Sequence, residues 1–212
     1  MISLLTPDRD AALASVLYLQ DAVNGDEQTI PLIHDLLRNQ RSKSIRAIEL
    51  GTGCGIVGIA LSRLVASCSV VLTDLPEVEE IVERNMAVAA DGASSPKAQF
   101  HVLDWDEELP VDICREGVDL ILVSDCTYNA DSLPALVSTL AKLIQLSAEA
   151  IILLAAKRRH ESESALFDLL NSAALRELHR SCIKLPSQHG DNDAIEFYVY
   201  GQKERHQSLG KA

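Results

Sequence analysis

Apolar positions along the chain come in two alternating kinds of segment, short continuous runs and longer stretches at helical spacing. Ile45, Ala47, Ile48 and Leu50 form a run that stops at glycines, and Ile56, Val57, Ile59, Ala60, Leu61 and Leu64 then follow a helical face. The order repeats. A strand at residues 70–72 leads to a helix at 76–90, where Glu77, Glu79 and Glu80 suit the positive N-terminal end. Further strands are predicted at 100–103, 118–123 and 151–155, with helices at 131–145 and 161–171. Upstream, the spacing predicts a helix over 7–23, with Thr6 as cap and Pro7 in the first helical position, and a second over 27–38. Residues 194–200 alternate around Ile195, Phe197 and Val199, which predicts an antiparallel edge strand. Loops are expected at 91–97 and 186–193, and the polar residues 203–212 are expected to be a disordered tail. Strands and helices in alternation build a parallel, doubly wound α/β sheet with helices on both faces, here within one domain.

Composition narrows the partners. The 212 residues are 47% hydrophobic and 24% charged, an ordinary globular balance. Acidic residues outnumber basic ones by 31 to 19, and the net charge of −12 repels phosphate backbones and acidic bilayers, so neither nucleic acid nor membrane is an expected partner. The run Lys157, Arg158, Arg159, His160 is the basic exception, read as a solvated face or as an anchor for an acidic patch on a substrate. Cys54, Cys68, Cys114, Cys126 and Cys182 show no paired or finger-like spacing, which points to a reducing compartment, the cytoplasm or the nucleus. No apolar run reaches the roughly 20 residues of a membrane span. The six histidines are dispersed, and no metal centre is expected.

Chemistry concentrates where the first strand ends. In Glu49-Leu50-Gly51-Thr52-Gly53-Cys54-Gly55 the glycines permit a tight turn and close approach of a ligand to the backbone. Asp74 ends the second strand about 20 residues on, where an acid accepts hydrogen bonds from ribose hydroxyls. Together they imply a ribose-bearing cofactor. Gly53-Cys54-Gly55-Ile56-Val57-Gly58 also spells the dinucleotide fingerprint, so the motif leaves a nicotinamide dinucleotide open as the rival.

At these residues the chain resembles the class I, seven-strand S-adenosylmethionine methyltransferases, whose first motif is matched by Glu49, Gly51, Gly53 and Gly55 and whose ribose acid is matched by Asp74. It is more closely similar to the protein-lysine methyltransferases typified by the valosin-containing-protein lysine methyltransferase, a group that includes fungal elongation-factor methyltransferases. Thr73-Asp74-Leu75-Pro76, Asn85, Leu103-Asp104-Trp105, Ser124-Asp125-Cys126-Thr127-Tyr128 and Ala156-Lys157-Arg158-Arg159 carry that likeness. It implies a Rossmann-like domain over 41–202 with a seven-stranded, mostly parallel sheet and an antiparallel strand near the C-terminus, and a helical segment at 1–40 against it. It also implies S-adenosyl-L-methionine as cofactor, S-adenosyl-L-homocysteine as product, and a monomer acting on a lysine of a translation factor or chaperone. The implied cofactor residues are Glu49, Gly51, Thr52, Gly53, Gly55, Asp74, Leu75, Asp104, Trp105 and Ser124, with Trp105 against the adenine and Asp104 on its amino group. The chain departs from the group in two ways. No tryptophan stands near the start of its first helix, where Arg9 lies instead, and the group's N-terminal strands are missing.

Asp125 and Tyr128 follow an apolar strand at its C-terminal end, where open parallel sheets bind ligands. A carboxylate there holds an incoming lysine ammonium, and a tyrosine ring flanks its alkyl stem. Two rival activities keep the same fold: a small-amine or nicotinamide methyltransferase, and a binding module without turnover.

Overall fold

Five apolar runs form the parallel part of the sheet in the computed structural model, which describes residues 10–24, 31–38, 44–90, 97–127, 129–157, 163–185 and 193–202. They are β1 (Ile45–Leu50), β2 (Cys68–Asp74), β3 (Ala98–Val102), β4 (Leu120–Ser124) and β5 (Ile151–Lys157). Two further strands, β6 (Leu175–Leu185) and β7 (Asp193–Gln202), complete a seven-stranded sheet in the order β3-β2-β1-β4-β5-β7-β6. β7 is antiparallel to both β5 and β6.

The edge position expected for the last strand is corrected by this order. β7 lies inside the sheet, and β6 takes the rim. Ile195, Phe197 and Val199 are buried on one face and Tyr198 and Tyr200 on the other, as befits a strand covered on both sides. The expected tail at 203–212, Thr6, Pro7, Arg9 and most of the two expected loops lie outside the described residues.

Side chains on opposite faces of the strands seed two cores. Ala47, Leu72, Leu122 and Leu153 pack under α1 (Asp10–Asn24), α2 (Pro31–Arg38), α3 (Ile56–Leu64) and α4 (Glu79–Ala89). Ile48, Val71, Ile121 and Ile152 pack under α5 (Val111–Glu116), α6 (Leu133–Leu146) and α7 (Glu163–Ser172). The helices expected at 76–90 and 131–145 each open with a single 3-10 turn, Pro76–Val78 and Ala130–Ser132, before the α-helix proper. The short helix α5 follows Pro110 and was not predicted by spacing.

Helix α1 buries Ala11, Ala14, Ser15, Tyr18, Leu19 and Ala22 along one face, the spacing of an amphipathic helix. It lies against α3 and β5, and Tyr18 stacks on Phe197 of β7 with ring centroids 4.5 Å apart. That placement brings its N-terminal turn to the C-terminal ends of the central strands.

Candidate active site

Strand order reverses at β1, which has β2 on one side and β4 on the other. In open parallel sheets this switch point leaves a crevice at the C-terminal strand ends, and ligands bind there. The loop after β1, the end of β2 and the end of β4 all meet at it.

Glu49, the last residue but one of β1, is almost wholly buried, 2% exposed. Its Oε2 accepts the Thr52 hydroxyl at 2.6 Å and the Gly58 amide at 2.9 Å, so a strand carboxylate serves the N-terminal turn of α3, whose own cap Gly55 offers no side chain. Thr73 Oγ1 donates to the Glu49 carbonyl at 2.7 Å, and the Thr52 amide donates to the Thr73 carbonyl at 3.0 Å, lacing the glycine turn to β2. Gly51, Gly53 and Gly55 have φ of 63°, 57° and 79°, the left-handed region that L side chains rarely adopt.

Burial raises the Glu49 carboxyl from 4.5 to about 7, with a further push from the Asp74 charge and against the bonds from Thr52 and Gly58. A carboxyl raised on folding stabilises the folded chain most at low pH. Its contribution is complete below about pH 4.5, fades as the unfolded chain ionises first, and is gone above about pH 7. The stability gap between wild type and Glu49→Gln therefore shifts in favour of the wild type at pH 5 relative to pH 8, measured by urea midpoints. A gap that stays constant with pH contradicts this.

Asp74 accepts the Gly53 amide at Oδ2, 2.7 Å, and the Leu75 amide at Oδ1, 2.8 Å. Each oxygen keeps a second lone pair for a further donor. A Cβ built on Gly53 meets nothing within 4 Å, so the space above the turn is open. Beside it Leu75 and Val102, both large apolar side chains, are 45% and 44% exposed. An acid with spare acceptors, an open glycine and an apolar shelf fit a nucleoside.

Trp105 closes the other side. A Cβ at Gly51 would lie 3.2 Å from Trp105 Cζ2 and 2.7 Å from Cys126 Sγ, which places the indole edge and the thiol directly over the turn. Asp104 Oδ1 accepts the Asp106 amide at 3.0 Å, leaving Oδ2 for other donors. Asn85 anchors the turn from α4, its Nδ2 donating to the Cys54 carbonyl at 2.8 Å. Cys126 Sγ donates to the Leu50 carbonyl at 3.3 Å. Burial, then the Glu49 and Asp74 charges and more weakly Asp125, holds its thiol above the usual range, so it stays protonated and fills space.

At the end of β4, Asp125 adopts φ 58° and its amide donates to the Ala155 carbonyl of β5 at 3.0 Å. Ser124 Oγ lies 3.0 Å from Ser15 Oγ of α1. Tyr128, Arg158, Arg159 and His160 lie outside the described residues. Lys157 is paired with Asp10 at 3.1 Å, a contact with no signal in local spacing because 147 residues separate the two.

Gly58 is the glycine whose importance the turn motif alone understates. A Cβ there would sit 2.3 Å from Leu72 Cδ2, 2.7 Å from Glu49 Oε2 and 3.0 Å from Val70 Cγ1, because α3 lies directly on β1 and β2. Gly58→Ala is expected to cost about 2 kcal/mol by overpacking, lowering the thermal midpoint by about 4–8 °C. An unchanged midpoint means that the helix has room to shift.

A seven-stranded sheet in this order, with a glycine turn after β1 and an acid ending β2, is the class I methyltransferase fold. Magnesium protoporphyrin IX methyltransferase from Synechocystis PCC 6803, solved with bound SAM, shares that fold at a TM-score of 0.63 and 12% identity, over 95% of this chain and 86% of its own. Within the fold, the chain belongs to the lysine methyltransferase family, whose family model matches residues 9–173. Protein N-lysine methyltransferase METTL21A of Danio rerio is 33% identical over 138 residues, 65% of this chain and 61% of its own length. EEF1A lysine methyltransferase 3 of Xenopus tropicalis is 36% identical over 122 residues, 56% of this chain and 50% of its own. The chain thus spans about half the length of the curated relatives it matches.

Proposed function

We propose that this chain transfers a methyl group from S-adenosylmethionine to the side-chain amine of a lysine in another protein, a translation factor or a chaperone. The observation that carries this reading is the crevice at the switch point, where Asp74 keeps spare acceptors beside the open Gly53 at the end of β2 and Asp125 follows β4 on the other side of β1. Carboxylates on both sides of a crevice favour cations, and both the sulfonium of the donor and the ammonium of a lysine are cations. The start of α3 counts against a dinucleotide. A pyrophosphate takes the amides at a helix N-terminus, and here the Gly58 amide of α3 already bonds the Glu49 carboxylate.

When bound, S-adenosylmethionine supplies an electrophilic methyl on sulfur. Asp74 would hold the ribose hydroxyls, Leu75 and Trp105 the adenine faces, and Asp104 its amino group. Glu49, Gly51, Thr52, Gly53, Gly55 and Ser124 would form the wall beneath the amino-acid portion. Asp125 would hold the lysine ammonium and aim it, with Tyr128 beside the stem. Only about one lysine in 2,500 is neutral at pH 7, so a proton leaves before transfer. A carboxylate partner raises the amine's affinity for that proton while apolar burial lowers it, which makes Asp125 an orienting group.

The cytoplasm or nucleus is the proposed compartment, in keeping with free Cys54, Cys68, Cys126 and Cys182 among the described residues. The chain is proposed to act as a monomer without nucleic acid. No helix among the described residues is long and apolar enough to cross a membrane. The test is transfer of tritiated methyl from S-adenosylmethionine into a cell lysate, its protein fraction and its small amines, with labelled lysine identified by mass spectrometry. Label in protein lysine is the expected result; label confined to small amines overturns the proposal.

A further inference from the structure

Two polar ties join helix α1 to the strand ends that carry Asp125. At one, Lys157 Nζ of β5 lies 3.1 Å from Asp10 Oδ2, with the two side chains only 20% and 33% exposed. At the other, the Ser15 hydroxyl donates to the Ala11 carbonyl at 2.8 Å, so its single proton is committed and Ser124 is the donor across the 3.0 Å contact to Ser15 Oγ. Ser124 immediately precedes Asp125. Ala155, two residues before Lys157, accepts the Asp125 amide at 3.0 Å. The ties therefore grip β4 just before Asp125 and β5 just beyond the carbonyl that holds its amide, and Asp125 has φ of 58°, in the left-handed region that costs most L side chains, Asp and Asn less than the others. Such a conformation persists where its surroundings over-determine it.

Neither tie is needed to dock the helix. Ala11, Ala14, Tyr18, Leu19 and Ala22 are each no more than 1% exposed and hold α1 on the sheet by apolar burial. Two polar pairs at the N-terminal half of the helix, aimed at the ends of β4 and β5, call for another role.

We propose that Asp10, Ser15 and Lys157 are positioning residues for Asp125, and that the first turns of α1 form one wall of the aperture through which the acceptor lysine enters. The proposal rests on the reading of Asp125 as the group that receives the lysine. It also assigns Lys157 a partner inside the fold, in place of an acidic patch on the substrate. Misplacement of a reacting group by about 1 Å lowers transfer by up to roughly a hundredfold, while the cofactor seat around Gly53 and Asp74 is untouched.

The test uses the full chain and the variants Asp10→Asn, Ser15→Ala, Lys157→Met and Lys157→Arg, with the exchanged pair D10K/K157D. Three quantities are measured: S-adenosylhomocysteine affinity by calorimetry, hydrogen exchange of the Asp125 amide, and tritiated methyl transfer to lysate proteins. Asp10→Asn, Ser15→Ala and Lys157→Met are expected to lower transfer by about tenfold or more and to speed exchange at Asp125, with affinity within about twofold of wild type. Lys157→Arg and the exchanged pair are expected to restore both. Wild-type transfer and exchange in the single variants overturn the proposal, and so does a matching loss of cofactor affinity, which would mark a merely structural role. If the wild type labels no protein, the lysine reading fails on its own account, and exchange at Asp125 alone then decides whether the ties position it.

Discussion

Replacing Asp74 by alanine is expected to weaken S-adenosylhomocysteine binding about a hundredfold. A hydrogen bond to a charged acceptor contributes about 1.5–3 kcal/mol, and two ribose hydroxyls on one carboxylate make that about 3 kcal/mol or more, which is two decades in affinity. Stability should barely change. The donors that Asp74 now serves are the Gly53 and Leu75 amides, both in exposed bonds where water can replace the carboxylate. Asp74→Asn keeps one acceptor oxygen and is expected to fall between, at about a tenfold loss. Titration calorimetry on the three proteins, with thermal midpoints alongside, makes the measurement. A loss below about threefold for Asp74→Ala would put the ribose elsewhere and remove the glycine turn as the cofactor seat.

The second large effect is expected at Asp125, and there cofactor affinity should stay put while transfer collapses. Removing one partner of a hydrogen-bonded charge pair costs about 2–4 kcal/mol, so Asp125→Ala should lower methyl transfer by about thirty- to a thousandfold. Alanine also pays for the left-handed backbone at φ 58°. Asn is therefore the informative replacement, since it tolerates that conformation and differs mainly in charge. If the carboxylate draws in the ammonium, Asp125→Asn loses nearly as much transfer as Asp125→Ala. Activity near wild type in the asparagine variant would show that shape alone is required.

The parts of this molecule legible from sequence are those governed by local pattern. β1, β2, β4 and β5 are nearly continuous apolar runs because both of their faces are covered, and the glycine turn is readable because positive φ selects glycine. β6 escaped because Leu-Arg-Glu-Leu-His-Arg-Ser-Cys-Ile-Lys-Leu carries charge on a rim strand and its alternation breaks at the register shift between Glu177 and His179. The site divides in the same manner. Glu49 and Asp74 sit in a recognisable motif, but nothing in sequence shows that Gly58 must admit the Glu49 carboxylate, or that Ser15 and Asp10 reach Ser124 and Lys157 across more than half the chain. Long-range contact is a property of topology, and short windows do not contain it.

The insertion of β7 between β5 and β6, although it follows both along the chain, bears on how the protein is made. During synthesis β5 and β6 emerge before the strand that joins them, and each presents unpaired amides and carbonyls to its surroundings until that strand arrives. Completion of the sheet therefore waits until the ribosome has passed residue 202. A premature stop upstream of that strand leaves the β5 edge bare and β6 without a partner in the sheet, the kind of nascent product that chaperones must hold or proteases remove.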